Sequence, residues 1–153
     1  MPAVSRIIRP SRNFARSATV TSTGVSSSSQ FPLANIKDND VALPYKAGGV
    51  GAVRIIFDCG APVLVDEMCL PMYNIPAATS NVKWQGHTSN SWGAPDVSVT
   101  LVIPTYATLR TGMTPIPESI RADVAAVYPL TANRTKQWWS LDVPSIGVAL
   151  AIG

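Results

Sequence analysis

Side chains able to do acid–base or metal chemistry are scarce in this sequence. His87 is its one histidine, so an imidazole base or a Cys/His metal site would rest on that residue alone. It lies in Gly86-His87-Thr88-Ser89-Asn90-Ser91, a polar stretch between two apolar runs that reads as a loop. Asp66 and Glu67 are adjacent, and on a strand such neighbours face opposite ways, so they cannot flank one glycosidic bond. Asp38-Asn39-Asp40 gathers the hard oxygens that calcium selects, without the glycine and distal glutamate of the helix–loop–helix calcium loop. Asp38 and Asp40 are calcium candidates there, and an Asx-rich turn is the alternative. A Gly-Lys-Ser/Thr phosphate loop, His-Glu-x-x-His and Gly-x-Ser-x-Gly are all missing. The expectation is a non-enzyme with no catalytic residues and no cofactor.

Composition points to contacts with other molecules. The chain has 153 residues, 46% hydrophobic and 14% charged, with a mean hydropathy of +0.19. So few charges imply an apolar surface or one covered by other subunits. No apolar run approaches the ~20 residues of a membrane span. The net charge of +3 is uneven. Arg6, Arg9, Arg12 and Arg16 stand in an acid-free segment, whereas the rest holds eight basic and nine acidic residues. Residues 1–12 therefore read as a basic arm before one domain over 13–153, and the domain itself is no sequence-specific nucleic-acid reader. Cys59 and Cys69 sit in apolar strand-like runs, as reduced buried thiols or as a bridge across neighbouring strands.

Most of the chain alternates with the two-residue period of half-buried strands. Val53, Ile55, Phe57 and Cys59 alternate with Arg54, Ile56 and Asp58. Gly60-Ala61-Pro62 then reads as a turn, and Val63–Met72 as the returning arm of a hairpin. Val82 and Trp84, then Val97 to Ile103, then Trp139, Leu141 and Val143 repeat the pattern, and Val148–Ile152 closes the chain. Trp84 and Trp139 fall on apolar faces and read as core, while Trp138 points the other way. Only 117–127 has helical spacing, with Ile120, Val124 and Val127 on one face and Tyr128-Pro129 as the stop. The fold class is all-β, a jelly-roll β-sandwich with this one short helix.

Several segments also resemble the discoidin-like (coagulation-factor C-type) domains. They are Asn13–Ser22, Phe31–Asp40, Ile55–Gly60, Val65–Leu70, Val82–Gly86 and Gln137–Leu141, in the order that family keeps. The Arg-Ile-Ile-Arg-Pro-Ser-Arg-Asn opening is similar to that of small discoidin-like proteins of tailed-bacteriophage virions. The resemblance implies a galactose-binding-like jelly roll that serves as a tail, baseplate or head-surface component in the virion. Tyr45 stands where the family usually has Trp, and Met72-Tyr73-Asn74 where it usually has Gly-His-Asn.

Two functions follow as expectations. The first is a non-enzymatic virion structural protein, a homo-oligomer bound to other virion proteins. Its contacts would include the arm arginines and outward apolar residues such as Ile56 and Val102. The alternative is a carbohydrate-binding module for host glycans. Its ligand would lie among the loop residues Tyr45, Lys46, Tyr73, Asn74, His87 and Trp92, gathered at one end; the loop aromatic Trp92 could stack on a sugar, anchor an interface or simply pack over an end of the sandwich.

Overall fold

Alternation along three strands, together with their register, builds the larger layer. In the computed structural model, which describes residues 13–37, 44–70, 73–76, 79–103, 126–130 and 135–152, these are β3 (Val53–Leu64), β5 (Lys83–His87) and β8 (Thr135–Val143). With β1 (Thr19–Gly24) and β6 (Val97–Thr100) they form a five-stranded antiparallel sheet in the order β1-β3-β8-β5-β6. Two short pairs, β2 (Tyr45–Lys46) with β9 (Ala151–Ile152) and β4 (Glu67–Leu70) with β7 (Ala126–Pro129), supply a second layer. Tyr45, Met68, Leu70, Leu150 and Ile152 from that layer join Val53, Ile55, Trp84, Trp139 and Leu141 in a single buried cluster. Two-layer β architecture is therefore what the alternation predicts.

Paired residues in an antiparallel sheet share a face, so the register fixes which side chains meet. Ile55 lies opposite Leu141, and Leu141 opposite Trp84; Phe57 lies opposite Trp139, and Trp139 opposite Gly86. All of these turn inward. The indoles of Trp84 and Trp139 stack at 5.6 Å with 13° between planes, and Phe57 tilts against Trp84 at 6.0 Å. The missing side chain of Gly86 makes room for the stack, because a Cβ there would lie 2.7 Å from the Trp139 ring. The Trp139 indole N–H reaches the Lys136 carbonyl at 3.1 Å, which satisfies its polar edge within the core.

Three expectations change. Gly60-Ala61-Pro62 does not turn a hairpin. Both halves of β3 pair with β8, with Asp58 opposite Trp138 and Val63 opposite Lys136, so residues 59–62 bulge out against Gln137 alone. Gly60 at φ 73° supplies the left-handed residue the bulge needs. Asp58 holds the bulge by accepting from the Gly60 amide at 2.8 Å and the Gln137 amide at 2.9 Å. Ala126 and Val127, placed at the end of the helix, instead pair in β7 with Leu70 and Cys69. Residues 117–125, the arm 1–12, and Asp38 and Asp40 lie outside the described residues. Ile56 faces away from the core cluster as expected, but at 4% exposed it is already covered within the chain and offers no surface to a partner.

Overpacking a full core costs about 1–3 kcal/mol. Gly86→Ala is therefore expected to lower the unfolding free energy measured in urea by an amount in that range and weaken the near-ultraviolet signal of the paired indoles. Gly93→Ala, where an added Cβ meets nothing within 4 Å, should leave both unchanged. Equal effects of the two substitutions would show that the stack does not fill the space over Gly86.

Candidate ligand surface

The face of the five-stranded sheet turned away from the core carries three cross-strand rows. One runs Thr19, Asp58, Trp138, His87. The middle row runs Thr21, Ile56, Ser140, Gln85, Ser98. The third runs Thr23, Arg54, Asp142, Lys83, Thr100. Such rows place side chains of adjacent strands about 4.8 Å apart, close enough for one ligand to touch several.

A clasp holds the connection between β5 and β6 at its base. Asp96 accepts from Lys136 Nζ at 2.9 Å and from the Thr88 amide at 3.2 Å, and one of its oxygens lies 3.8 Å from His87 Nε2. The hydrogen bond from Lys136 is the main reason the Asp96 carboxyl sits below its ordinary value; the His87 and Lys136 charges and the Thr88 amide add to it, against some desolvation. His87 Nδ1 accepts from the Ser89 amide at 2.9 Å, which leaves Nε2 as the protonated nitrogen facing Asp96 in the neutral ring. Nδ1 is taken up by Ser89 and Nε2 faces Asp96 at 3.8 Å, so His87 is a structural member of the clasp. Further along, the Trp92 indole donates to Asn90 Oδ1 at 2.8 Å, and its ring lies 5.5 Å from the Arg54 guanidinium carbon. The connection therefore folds back across the sheet and ends in a cation–π contact. In the middle row Ser140 is fully buried and Gln85 nearly so, and Ser140 Oγ and Gln85 Oε1 have no hydrogen-bond partner among the described residues.

Beside that contact the third row opens into a depression of about 360 Å³, lined by Thr23, Arg54, Asn81, Lys83, Asp142 and Pro144 among others. Arg54 Nε and Nη2 donate to the two oxygens of Asp142, a bidentate pair in which both side chains are mostly buried. These hydrogen bonds hold Arg54 above its ordinary pKa, so it stays charged. Asn81 adopts φ 63°, a left-handed backbone that asparagine tolerates better than most residues.

The six loop residues from the sequence separate into two groups. Tyr45 and Tyr73 both pair with Ile152, and Lys46 with Ala151, so β9 draws them together with Asn74. Tyr45 is fully buried, its phenol pushed up by burial, and it is no surface stacking ring. Asn74 spends its amide on the backbone, donating to Ala149 at 2.7 Å and accepting from Ala151 at 2.8 Å. Lys46 is exposed, and Tyr73 is half-buried. His87 and Trp92 belong to the outer face of the larger sheet instead. Arg16 is exposed at the end of a short 3-10 turn. Cys59 is a free, half-buried thiol in the bulge, pushed up by burial and by Asp58. Arg54, Lys83, Asp96, Lys136 and Asp142 went unmarked by sequence reasoning. Their polar positions on alternating strands were visible, but the register that aligns them was not.

No protein-family model matches this sequence, nor does any curated protein. Solved structures do. A chitosan-binding module of a chitosanase/glucanase from Paenibacillus sp. IK-5 aligns at TM-score 0.60 and 16% identity, over 92% of this chain and 93% of that one. The lectin domain of lectinolysin, solved with Lewis B antigen, aligns at 0.63 and 11%, over 92% and 91%. The family 32 carbohydrate-binding module of C. perfringens NanJ, solved with galactose, aligns at 0.57 and 9%, over 90% of each chain. The fold is the discoidin-like, galactose-binding type. In this sandwich the sequence-marked loop residues divide between the β9 patch and the outer face of the larger sheet, where Trp92 meets Arg54 at the row that carries the depression.

The clasp makes a pH prediction. A carboxyl held below its ordinary value of 3.8 stabilises the folded form fully above the unfolded value, and the contribution fades as pH falls through the folded value. In two-dimensional NMR the Thr88 amide should titrate with a midpoint below 3.8, and Asp96→Asn should abolish that step. A midpoint at or above the ordinary value would contradict the clasp.

Proposed function

We propose that this protein is a non-catalytic glycan-binding module that holds its ligand in the outer-face depression beside Trp92. One observation carries the reading: a depression of about 360 Å³ offers the Arg54–Asp142 pair, Lys83 and Asn81 together, with an indole packed on the arginine. Small-molecule sites start at roughly 300 Å³. Sugar hydroxyls pair with rigid charged donors and acceptors, while the C–H face of a sugar ring packs on an aromatic side chain. The solved neighbours support the reading, because lectin and carbohydrate-binding modules share the fold from end to end. The described acidic groups of this face are engaged, Asp142 by Arg54, Asp96 by Lys136 and Thr88, and Asp58 by Gly60 and Gln137. None of the three is placed as the proton donor a hydrolase needs.

Isothermal titration of the purified chain with galactose and with chitotriose is the direct test. Binding of at least one is expected, weakened about tenfold by Trp92→Ala, which corresponds to the energy of one good aromatic contact. No binding across a broad glycan panel would overturn the reading.

A second reading, a subunit of a virion or similar assembly, is favoured by a different observation. Val102 is 81% exposed, Val50 60%, and Leu64 and Val148 50% each. Large apolar groups left in water favour burial against a partner. Light scattering after size exclusion should then show an oligomer that Val102→Lys dissociates; a monomer at every concentration would remove this reading.

A further inference from the structure

We infer that the outer-face depression selects an acidic saccharide, one bearing a carboxylate, through Lys83. This rests on the glycan-binding reading and deepens it. Register puts Asp142 between Arg54 on one neighbouring strand and Lys83 on the other. Asp142 gives both oxygens to Arg54, and Lys83 has no ion pair among the described residues. Lys83 is half-buried and lines the wall of the depression, and because Asp142 is taken up by Arg54 its charge is open to an added anion. Asp142 is the one acidic residue in the lining, against Arg54 and Lys83, so the lining carries a net positive charge. Arg54 also keeps N–H groups that its bidentate pair does not use.

Asn81 stands two residues before Lys83, lines the same depression and is exposed. Its amide can donate to ring hydroxyls or to the second oxygen of the same carboxylate. A sugar acid therefore meets a cation, an amide and the rim of an indole-capped arginine within one small volume. A neutral sugar uses the hydroxyl partners and leaves Lys83 without its anion.

Titrating the full chain with digalacturonate and with galactobiose at low ionic strength separates the cases. Digalacturonate should bind about tenfold tighter, as one charge-assisted hydrogen bond supplies, and the advantage should shrink as salt is raised. Lys83→Met should lower digalacturonate affinity to the level of galactobiose, while Lys83→Arg should keep the preference. Galactobiose binding as tightly as digalacturonate, or a preference that survives Lys83→Met, would overturn the inference and leave the glycan-binding reading standing. If neither sugar nor any other glycan binds, both fall.

Discussion

Strand β8 runs through the middle of the larger sheet, and its pairing with β3 on one side and β5 on the other sets the rest of the molecule. Because paired residues share a face, this register sends Trp139, Leu141 and Val143 inward to meet Phe57, Ile55 and Val53. The same register sends Ser140 and Asp142 outward to meet Ile56 and Arg54. A slip of one residue would exchange the two faces and put Asp142 into the core. The stack of Trp84 on Trp139 over Gly86 resists that slip, since only a glycine at that position leaves room for the ring.

The outward row inherits its chemistry from this constraint. Arg54 and Asp142 meet because their strands are locked by the core beneath them, so the guanidinium is held in place before any ligand arrives. Pre-ordering of this kind removes part of the entropic cost of binding. The partial burial of the pair places its contribution between the small value of a surface salt bridge and the several kcal/mol lost when a fully buried one is broken, about 1–3 kcal/mol. The clasp at Asp96 and the contact of Trp92 with Arg54 do the same for the connection that lies over this face.

Much of the fold was legible in the sequence because alternation is a local signal. Val53–Phe57, Trp84, Val97 and Trp139–Val143 could be assigned to faces from their own neighbours, and Trp84 and Trp139 are core as expected. What failed was non-local. Gly60-Ala61-Pro62 carries turn chemistry, but the chain bulges there because β8 offers Gln137 alone as a partner and the pairing resumes beyond it. Tyr45 read as a loop ring, yet its pairing with Ile152 buries it. Lys83, Arg54 and Asp142 are far apart in sequence, and only the sheet order makes them neighbours. Trp92 was marked as a ring that could stack on a sugar, anchor an interface or pack on the sandwich; in the structure it packs on Arg54.

The account depends on a ligand lying across the third row of the outer face. Mapping amide and indole shifts in two-dimensional NMR during saturation with a galactose-containing disaccharide tests that placement directly. The changes should concentrate at Arg54, Asn81, Lys83, Asp142 and the Trp92 indole. Changes confined to Lys46, Tyr73, Asn74 and β9, with the outer face silent, would contradict it.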